Sequence, residues 1–508
     1  MVRSGLLFGV LPLLAGASPV PSYQDSLYST EQSVFEDCLK AADVPTVLQS
    51  TPNFAALALP MNTRMKTKPA VITIPTTAQH VSSTVKCASQ FKLKVTPKSG
   101  GHAYNAQGLG DGAVVIDLQR FQDVVYDPKT QLARVGGGVR LGNMAQKLYD
   151  QGKRGIPHGT CPDVGVGGHS AGGFGWSSRQ WGLTVDQMVE VEVVTADGAI
   201  RRVNKDCESD LFWALRGAAP SFGVITNFWF KTYEAPENIV TYSYKFTGSV
   251  DVLSSAFFEI QKFAETLPKE VGMLVDFLEN GSGFRVYGAY YNKTLEQFNC
   301  LFNPLLQKLP NPGSSAEVKV RGWIDTLVYA AEGNVTTIVV PETGSNLHAP
   351  FYAKSVLTSE DSPLTLEAIK RVFTFATTQG RAATEKGLPW QVLLIFSGGR
   401  DSALNNKALL SESSFAQRNT FWSWGLFSFI GNLNEQSNKD SISFLNDFDR
   451  TLRRPGDAAY VNAHDSEYTR EESHRLVYGS QYQKLSVVKK KWDQNQVFWY
   501  PQSIDPAA

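Results

Sequence analysis

Two side chains capable of nucleophilic chemistry, His102 and Cys161, each lie beside a dense run of glycines. Glycine lets a backbone approach a ligand without a Cβ atom in the way. Successive N–H groups in such loops also form a concave binding site for a phosphate or pyrophosphate. A histidine and a cysteine, one in each loop, can therefore reach the same bound molecule from two sides.

The segments around these residues, Pro97–Tyr104 and His158–His169, resemble the FAD-linked oxidases of the berberine-bridge-enzyme-like group, which includes secreted oligosaccharide oxidases. The resemblance extends over about residues 69–233 and resumes over about 460–501. It implies that His102 bonds the 8α-methyl carbon of a flavin and that Cys161 bonds C6 of the same ring. The expected cofactor is therefore FAD, attached bicovalently.

The glycine segments are predicted to place backbone N–H groups against the FAD pyrophosphate, and Gly223, Val224 and Ile225 match family positions whose backbone lines the cofactor. The expected cofactor-binding residues beside the two attachment points are Ser99, Gly100, Gly101, Gly165, Gly167, Gly168, His169, Gly223, Val224 and Ile225. For His169 a packing role stays equally open. No Gly-x-Gly-x-x-Gly run follows a first strand of a βαβ unit, which argues against a Rossmann site. No metal-binding residue is predicted.

The chain departs from the resemblance where a catalytic base is expected. The related carbohydrate oxidases use a tyrosine where this chain has Ala463, and an assisting aspartate near the segment Leu394–Gly399, which holds no carboxylate. The candidate bases are then Tyr104, Tyr460 and His464, with Asp465 as a further substitute. A pocket for an apolar or aromatic metabolite is an alternative to a sugar site, and its candidate lining residues are Phe415, Phe421, Trp422, Trp424 and Phe427.

The resemblance implies an oxidase that transfers a hydride from an alcohol, carbohydrate or secondary metabolite to flavin N5 and passes the electrons to O2, giving H2O2. Two alternatives stay open. One is a biosynthetic flavoenzyme that forms a ring bond. The other is a flavin-binding paralogue without turnover, which the missing base motivates.

Composition favours a small-molecule substrate over a polymeric partner. The 508 residues carry 48 Lys plus Arg against 48 Asp plus Glu, so no basic field exists to gather nucleic acid or an anionic membrane. Molecular oxygen is the second expected partner, and a monomer is expected.

The first residues predict export. Arg3, the apolar run Leu6–Leu14 and Ala15–Ala17 form a secretory signal with cleavage after Ala17. Three sequons agree with secretion, at Asn280, Asn292 and Asn334. An odd count of five cysteines leaves one without a disulfide partner, as expected if Cys161 bonds a flavin. Family resemblance suggests that Cys38 pairs with Cys87, and a pairing of Cys207 with Cys300 stays open.

Hydrophobic patterns predict an α+β fold. Before residue 236, strands and helices alternate. The predicted strands are Ala70–Pro75, Lys94–Pro97, Ala113–Leu118, Leu132–Val135, Met188–Ala196, Ile200–Val203 and Phe222–Thr226, and the predicted helices are Gln79–Phe91, Leu141–Gln151 and Asp210–Leu215. Gln24–Leu57 is predicted to be helical with polar breaks.

After residue 236, alternating runs predict an antiparallel sheet covered by helices on one face. Its strands include Thr241–Phe246, Phe284–Tyr290, Gln391–Phe396 and Thr420–Phe429, and its helices are Val252–Thr266, Leu364–Thr378 and Ile442–Leu452. The expected organisation is a signal peptide over 1–17, a PCMH-type FAD-binding domain of two small-sheet lobes over 18–235 (core about 66–235), a substrate-binding domain over 236–454, and a C-terminal segment over 455–508 that returns to the FAD domain.

Overall fold

The computed structural model describes residues 33–332, 335–345 and 347–508. The predicted signal peptide and the sequon at Asn334 lie outside these residues. Within them the predicted α+β fold is confirmed, with several small sheets followed by a large antiparallel one.

Two small sheets form most of the part of the chain in which the glycine segments lie. The first has the strand order Thr46–Leu48, Val71–Thr73, Val114–Asp117 and Val95–Lys98, with the last three strands parallel. The second is antiparallel, in the order Val124–Asp127, Leu132–Gly136, Val224–Lys231, Met188–Val194 and Ile200–Asn204. A two-stranded sheet pairs Arg154–Gly155 with Tyr233–Glu234.

A seven-stranded antiparallel sheet forms the second half of the chain. Its order is Glu317–Arg321, Ile239–Thr247, Gly283–Tyr291, Val271–Phe277, Trp390–Phe396, Thr420–Phe429 and Phe351–Ser359. Helices pack on one face, where alternate side chains such as Trp422, Trp424 and Leu426 enter the largest apolar core. The intervening side chains, such as Ser423 and Phe427, face the opposite side and border a cavity. The predicted antiparallel sheet with helices on one face is therefore confirmed, and the helix Trp323–Ala331 packs in addition on part of the other face, beside Ile239 and Tyr287.

The helices begin at polar caps and bury one face each. Thr77, Ser249, Thr294, Thr365 and Asn434 accept a backbone N–H at the start of five of them. The α-helices cover 33–41, Phe54–Leu57, Ala78–Gln90, Leu141–Gly152, Val166–His169, Ser178–Trp181, Thr184–Gln187, Ser209–Ala218, Val250–Ala264, Leu295–Leu306, Trp323–Ala331, Leu366–Phe375, Arg381–Glu385, Glu435–Leu452, Arg470–Ser473 and Tyr482–Asp493.

One predicted helical segment is partly wrong. Within Gln24–Leu57 the described residues form a helix over 33–41, but Thr46–Leu48 is a strand that pairs with Val71–Thr73. The helix ends at residue 41, Asp43 follows in the left-handed conformation with a φ of 54°, and the apolar run after Pro45 fills an edge position of the sheet.

The C-terminal segment packs back onto the first sheet. Val95 donates its N–H to the carbonyl of Val497 at 2.8 Å. The ion pair of Lys489 with Asp493, at 2.6 Å, is fully buried in the helix Tyr482–Asp493. The same ammonium group donates to the carbonyls of Ser221 and Phe498, so it holds this helix against its neighbours.

One disulfide is present, between Cys38 and Cys87 as the resemblance implied, and Cys161, Cys207 and Cys300 are free thiols. Among the described residues, no helix has both the length and the apolar character that crossing a membrane requires.

Candidate active site

The two glycine segments meet through their backbones. The strand Val95–Lys98 delivers the first segment, and the second precedes the short helix Val166–His169. A methyl group at Gly165 would overlap the backbone nitrogen of Gly100 and lie 2.5 Å from Ser99 Oγ. Only glycine permits this approach, so the sequence and the geometry agree on why the segments are glycine-rich.

Hydrogen bonds then fasten the segments together. Ser99 Oγ donates to the carbonyl of Gly137 at 2.6 Å and accepts the N–H of Gly167 at 3.1 Å. The Arg140 guanidinium donates to the carbonyl of Gly100 at 2.8 Å and to that of Asp163 at 2.6 Å. Arg140 thus bridges both segments.

Sequence reasoning missed Gly137 and Arg140. The signal that identifies them is the run Gly136–Gly138 directly before a helix, a third glycine-rich segment near the same place.

A cavity of about 140 Å³ opens between these segments. Predicted cofactor residues on its wall are Ser99, Gly100, Gly101, His102, Gly165, Gly167, Gly168, His169, Gly223 and Ile225. Val224 instead buries its side chain in the core beneath the first sheet, so Gly223 and Ile225 border the cavity and Val224 does not.

Two features of the residues around this cavity are compatible with the expected FAD. A methyl at Gly168 would meet no atom within 4 Å, so this glycine presents its backbone to open space beside the crossing segments. His464 also lines the cavity and is buried, yet its Nδ1 has no hydrogen-bond partner. Burial lowers the pKa of His464 to about 4, so the ring is neutral near pH 7. A neutral imidazole facing the cavity suits the polar edge of a cofactor.

A second cavity of about 540 Å³ adjoins the first and is bordered by the seven-stranded sheet. Both cavities share His102, Tyr104, Val164, His169 and Asn462 on their walls. Cys161 lies on the wall of the larger one. The structure thus brings both predicted attachment residues to the wall of the larger cavity, and His102 borders the smaller one as well.

The two attachment residues differ in their surroundings. His102 Nε2 lies 2.9 Å from Oδ2 of Asp163. Cys161 is exposed toward the larger cavity, and partial desolvation by the neighbouring protein raises the pKa of its thiol; the nearby charge of Asp163 raises it further. Backbone N–H groups of Asp163 and Val164 and the charge of Arg140 oppose the rise.

His169 supports the second segment. Its Nε2 accepts the N–H of Gly159 at 3.1 Å, and burial lowers the pKa of the ring to about 3. A neutral ring that accepts a backbone N–H holds the loop in place while bordering both cavities.

The three predicted bases lie in different settings. Tyr460 and Tyr104 line the larger cavity, whereas His464 borders the smaller one. Tyr460 Oη accepts the N–H of Gly173 at 2.7 Å and the Asn462 side-chain amide at 3.0 Å. Burial raises the pKa of Tyr460, and these hydrogen bonds oppose the rise because they stabilise the phenolate.

Tyr104 is the poorer base. Its ring packs edge-on against Phe351 and Phe427, and burial raises the pKa of Tyr104 to about 12. Asp465, a further substitute, is occupied elsewhere: its carboxylate accepts the Tyr352 hydroxyl and pairs with Lys354 at 2.6 Å in a buried cluster.

The larger cavity has an apolar wall. Ala463 lies on it, and no aspartate or glutamate of the described residues does. Its apolar side chains are contributed mainly by alternate positions of the sheet and by two loops, and include Met61, Leu274, Leu347, Phe351, Leu393, Ile395, Phe427 and Phe429.

Among the five predicted aromatic lining residues, Phe427 borders this cavity with its neighbours Phe351 and Phe429. Phe421 and Trp422 pack against Phe396 in the core instead. Trp424 reaches the wall, but its ring packs against Phe257 and Phe277 in that core. Phe415 packs behind Tyr460 and Phe174. Strand alternation accounts for Trp422 in the core and Phe427 on the cavity, but Phe421 lies in the core although it has the parity of Phe427.

Comparison with known proteins agrees with this geometry. Residues 69–204 match the family described as FAD binding domain, and residues 459–505 match the family described as Berberine and berberine like. An FAD-linked oxidoreductase, dpmaF, of Metarhizium anisopliae is 32% identical over 93% of this chain and 91% of its own.

Two solved structures share the fold. A chitooligosaccharide oxidase superimposes with a TM-score of 0.86 at 30% identity, over 93% of this chain and 100% of that chain. The glucooligosaccharide oxidase of Acremonium strictum, described as carrying 6-S-cysteinyl, 8α-N1-histidyl FAD, superimposes with a TM-score of 0.85 at 28% identity, over 93% of this chain and 99% of that chain.

Proposed function

Since this chain belongs to the FAD-linked oxidases that include oligosaccharide oxidases and berberine-bridge-enzyme-like proteins, we propose that it attaches FAD through His102 and Cys161 and oxidises an alcohol carbon of a small molecule at the expense of O2. The single observation that carries the proposal is that His102 and Cys161 both lie on the wall of the larger cavity, while His102 also borders the smaller one. The covalent linkage seen in the Acremonium strictum relative supports it.

The chain's own residues divide the work. Bound FAD would supply an acceptor for one hydride, which carries two electrons, and O2 would take up these electrons together with two protons as H2O2. Ser99, Gly100, Gly101, Gly165 and Gly168 would hold its pyrophosphate with backbone N–H groups, while the N–H of Gly167 donates to Ser99 Oγ and keeps the two segments together. Two covalent bonds would fix the ring. The apolar cavity orients the substrate and excludes water beside the reacting carbon.

We assign the proton acceptor to Tyr460. Its oxygen lies on the substrate cavity and already receives two backbone N–H groups and one side-chain amide, which stabilise a phenolate. Tyr104 lacks such donors among the described contacts, and His464 borders the cofactor space. Tyr460 would thus take the role of the tyrosine that the related carbohydrate oxidases have at the position of Ala463.

The substrate class follows from the cavity wall. Sugar hydroxyls need buried polar partners, since an unpaired buried hydroxyl costs about 1–3 kcal/mol. Here Gln391, Ser355 and Ser423 are the polar side chains that the sheet contributes, against a larger set of aliphatic and aromatic ones. An apolar or aromatic alcohol, such as a secondary metabolite, suits this wall better than an oligosaccharide.

Peroxide release from a substrate panel tests the function. Benzylic and long-chain alcohols should give H2O2 with kcat/KM at least about tenfold above xylo-, chito- and gluco-oligosaccharides, because unpaired hydroxyls weaken sugar binding. Faster oxidation of the oligosaccharides would contradict the substrate assignment.

The same panel separates the alternatives. A biosynthetic enzyme that forms a ring bond would consume its substrate and yield a cyclised product two hydrogens lighter, without a new carbonyl. A flavin-binding paralogue without turnover would stay silent and keep its flavin oxidised under anaerobic incubation with every compound.

The domain limits and export are proposed together. FAD binding is assigned to 18–235 with 455–508, substrate binding to 236–454, and secretion to the signal over 1–17. Asn292 is exposed at the end of a strand and Asn280 is half-buried, so a glycan is better accommodated at Asn292.

A further inference from the structure

Asp163 is a buried carboxylate that contacts the attachment histidine from the other glycine segment. Its Oδ2 lies 2.9 Å from His102 Nε2, although 61 positions separate the two residues. The two side chains are 6% and 14% exposed, respectively, so water competes little for this contact. The bond therefore acts directly on the histidine expected to carry the flavin.

The carboxylate is held from several sides. Oδ1 accepts the backbone N–H of Ser345 at 3.0 Å and its hydroxyl at 3.1 Å. The Arg140 guanidinium lies 3.7 Å from the same oxygen. Asp163 cannot turn away from His102 without losing these partners, so its position is fixed before any cofactor arrives.

Charge settles which nitrogen of His102 carries the proton. Burial alone would raise the pKa of Asp163, but the hydrogen bond from His102 and the charge of Arg140 outweigh it, and the pKa is lowered. An ionised carboxylate only accepts hydrogen bonds, so the contact requires an N–H at Nε2. In the neutral ring the lone pair is then on Nδ1.

We propose that Asp163 is a positioning residue for flavin attachment: by holding Nε2–H of His102, it leaves Nδ1 as the nitrogen that bonds the flavin. This inference rests on the proposed attachment through His102. His102 Nδ1 forms the new N–C bond, one hydrogen leaves the 8α-methyl carbon and the proton leaves Nε2 toward Asp163. The two electrons and two protons released are taken up by O2, which becomes H2O2.

Attachment kinetics in a single-linkage background test the role. In Cys161→Ala protein prepared free of flavin, His102 is the remaining attachment point, and added FAD should become acid-stable with time. Adding Asp163→Asn keeps the side-chain shape but removes the charge, and should slow this step by about 10- to 100-fold, as loss of an orienting partner does elsewhere. Asp163→Glu should restore part of the rate.

The controls separate positioning from folding. Asp123→Asn changes an aspartate whose side chain is 72% exposed and should leave the rate unchanged. Reversible FAD binding, followed by quenching of flavin fluorescence, should be within about twofold in Asp163→Asn and its parent, since the carboxylate acts on the ring of His102 and not on the pyrophosphate segment. Equal losses of reversible binding and attachment would count against positioning.

The failures of the two proposals are distinguishable. If the Cys161→Ala parent never acquires acid-stable flavin, the attachment through His102 is wrong. If the parent acquires it and Asp163→Asn does so at the same rate, the attachment stands and the role of Asp163 is refuted. Ser345→Ala, which removes one partner of Oδ1 and leaves the His102 contact, should slow attachment less than Asp163→Asn does.

Discussion

At the scale of single residues, the site is built from groups whose ordinary chemistry is changed by what they contact. Tyr460 and Tyr104 are both buried tyrosines on one cavity, yet N–H donors surround one hydroxyl and aromatic rings surround the other side chain. The same burial that raises the pKa of both is opposed only at Tyr460. This difference makes the two residues separable by experiment.

Tyr460→Phe should lower kcat by about 10²- to 10⁴-fold, the usual contribution of a positioned base. The loss should shrink as pH rises toward the pKa of the substrate hydroxyl, because hydroxide then replaces the missing acceptor. Steady-state peroxide release between pH 6 and 10 measures this. Tyr126→Phe, far from both cavities, is the neutral control.

The competing assignment has its own signature. If Tyr104→Phe rather than Tyr460→Phe abolishes turnover while flavin content stays complete, the base is Tyr104. The phenylalanine at position 104 keeps the ring contacts with Phe351 and Phe427, so such a loss would come from the hydroxyl.

At the scale of elements, buried arginines connect the part of the chain that holds the glycine segments to the seven-stranded sheet. Arg179, in the helix Ser178–Trp181, donates to the carbonyls of Pro268 and Val271 at 2.8 Å and of Gly398 at 2.7 Å. In the opposite direction, Arg418 pairs with Asp186 at 2.6 Å. These contacts hold the sheet that forms the substrate wall against the cofactor segments.

Arg179→Lys should destabilise the protein by about 2–4 kcal/mol, because a single ammonium group cannot reach the carbonyls that the guanidinium fork satisfies. Urea unfolding of the flavin-loaded protein measures the change. Arg202→Lys, at a side chain that is 56% exposed, is the matched control and should shift the unfolding free energy by less than about 0.5 kcal/mol. Equal effects of the two changes would contradict the connecting role of Arg179.

Some strands could be predicted from the sequence and others could not. Short β-branched runs such as Val71–Thr73 and Val114–Asp117 gave the first sheet, and the alternation in Ile239–Thr247 gave the large one. The strand Phe351–Ser359 escaped prediction because nearly all of it is buried and no alternation marks it. The strand Glu317–Arg321 escaped because it is a short, polar edge.

The site divides in a similar way. His102, Cys161 and the glycines were predicted because each carries a local signal of residue type and spacing. Arg140 and the role of Asp163 depend on the approach of segments that are distant in the chain, which no local pattern reveals. The sequence predicted a missing base at Ala463 and an apolar pocket as an alternative, but of the five aromatic residues predicted to line it only Trp424 and Phe427 border the larger cavity.

At the scale of the whole molecule, the fold places two adjoining cavities side by side, and segments that are distant in the sequence line them. The C-terminal segment contributes Tyr460, Asn462 and His464 to these walls and then packs on the first sheet beside Val95. A bicovalent flavin at the junction would crosslink two segments of this architecture. We therefore expect one prosthetic group to be joined to two side chains that are distant in the sequence, His102 and Cys161.

Mass analysis of a tryptic digest of the native protein tests that claim most directly. Trypsin releases His102 in the peptide 99–120 and Cys161 in the peptide 155–179. We predict one species from the native protein in which FAD joins both peptides. Cys161→Ala should carry FAD on peptide 99–120 alone, and His102→Ala should carry it on peptide 155–179 alone. Recovery of both peptides from the native protein at their unmodified masses would contradict the account.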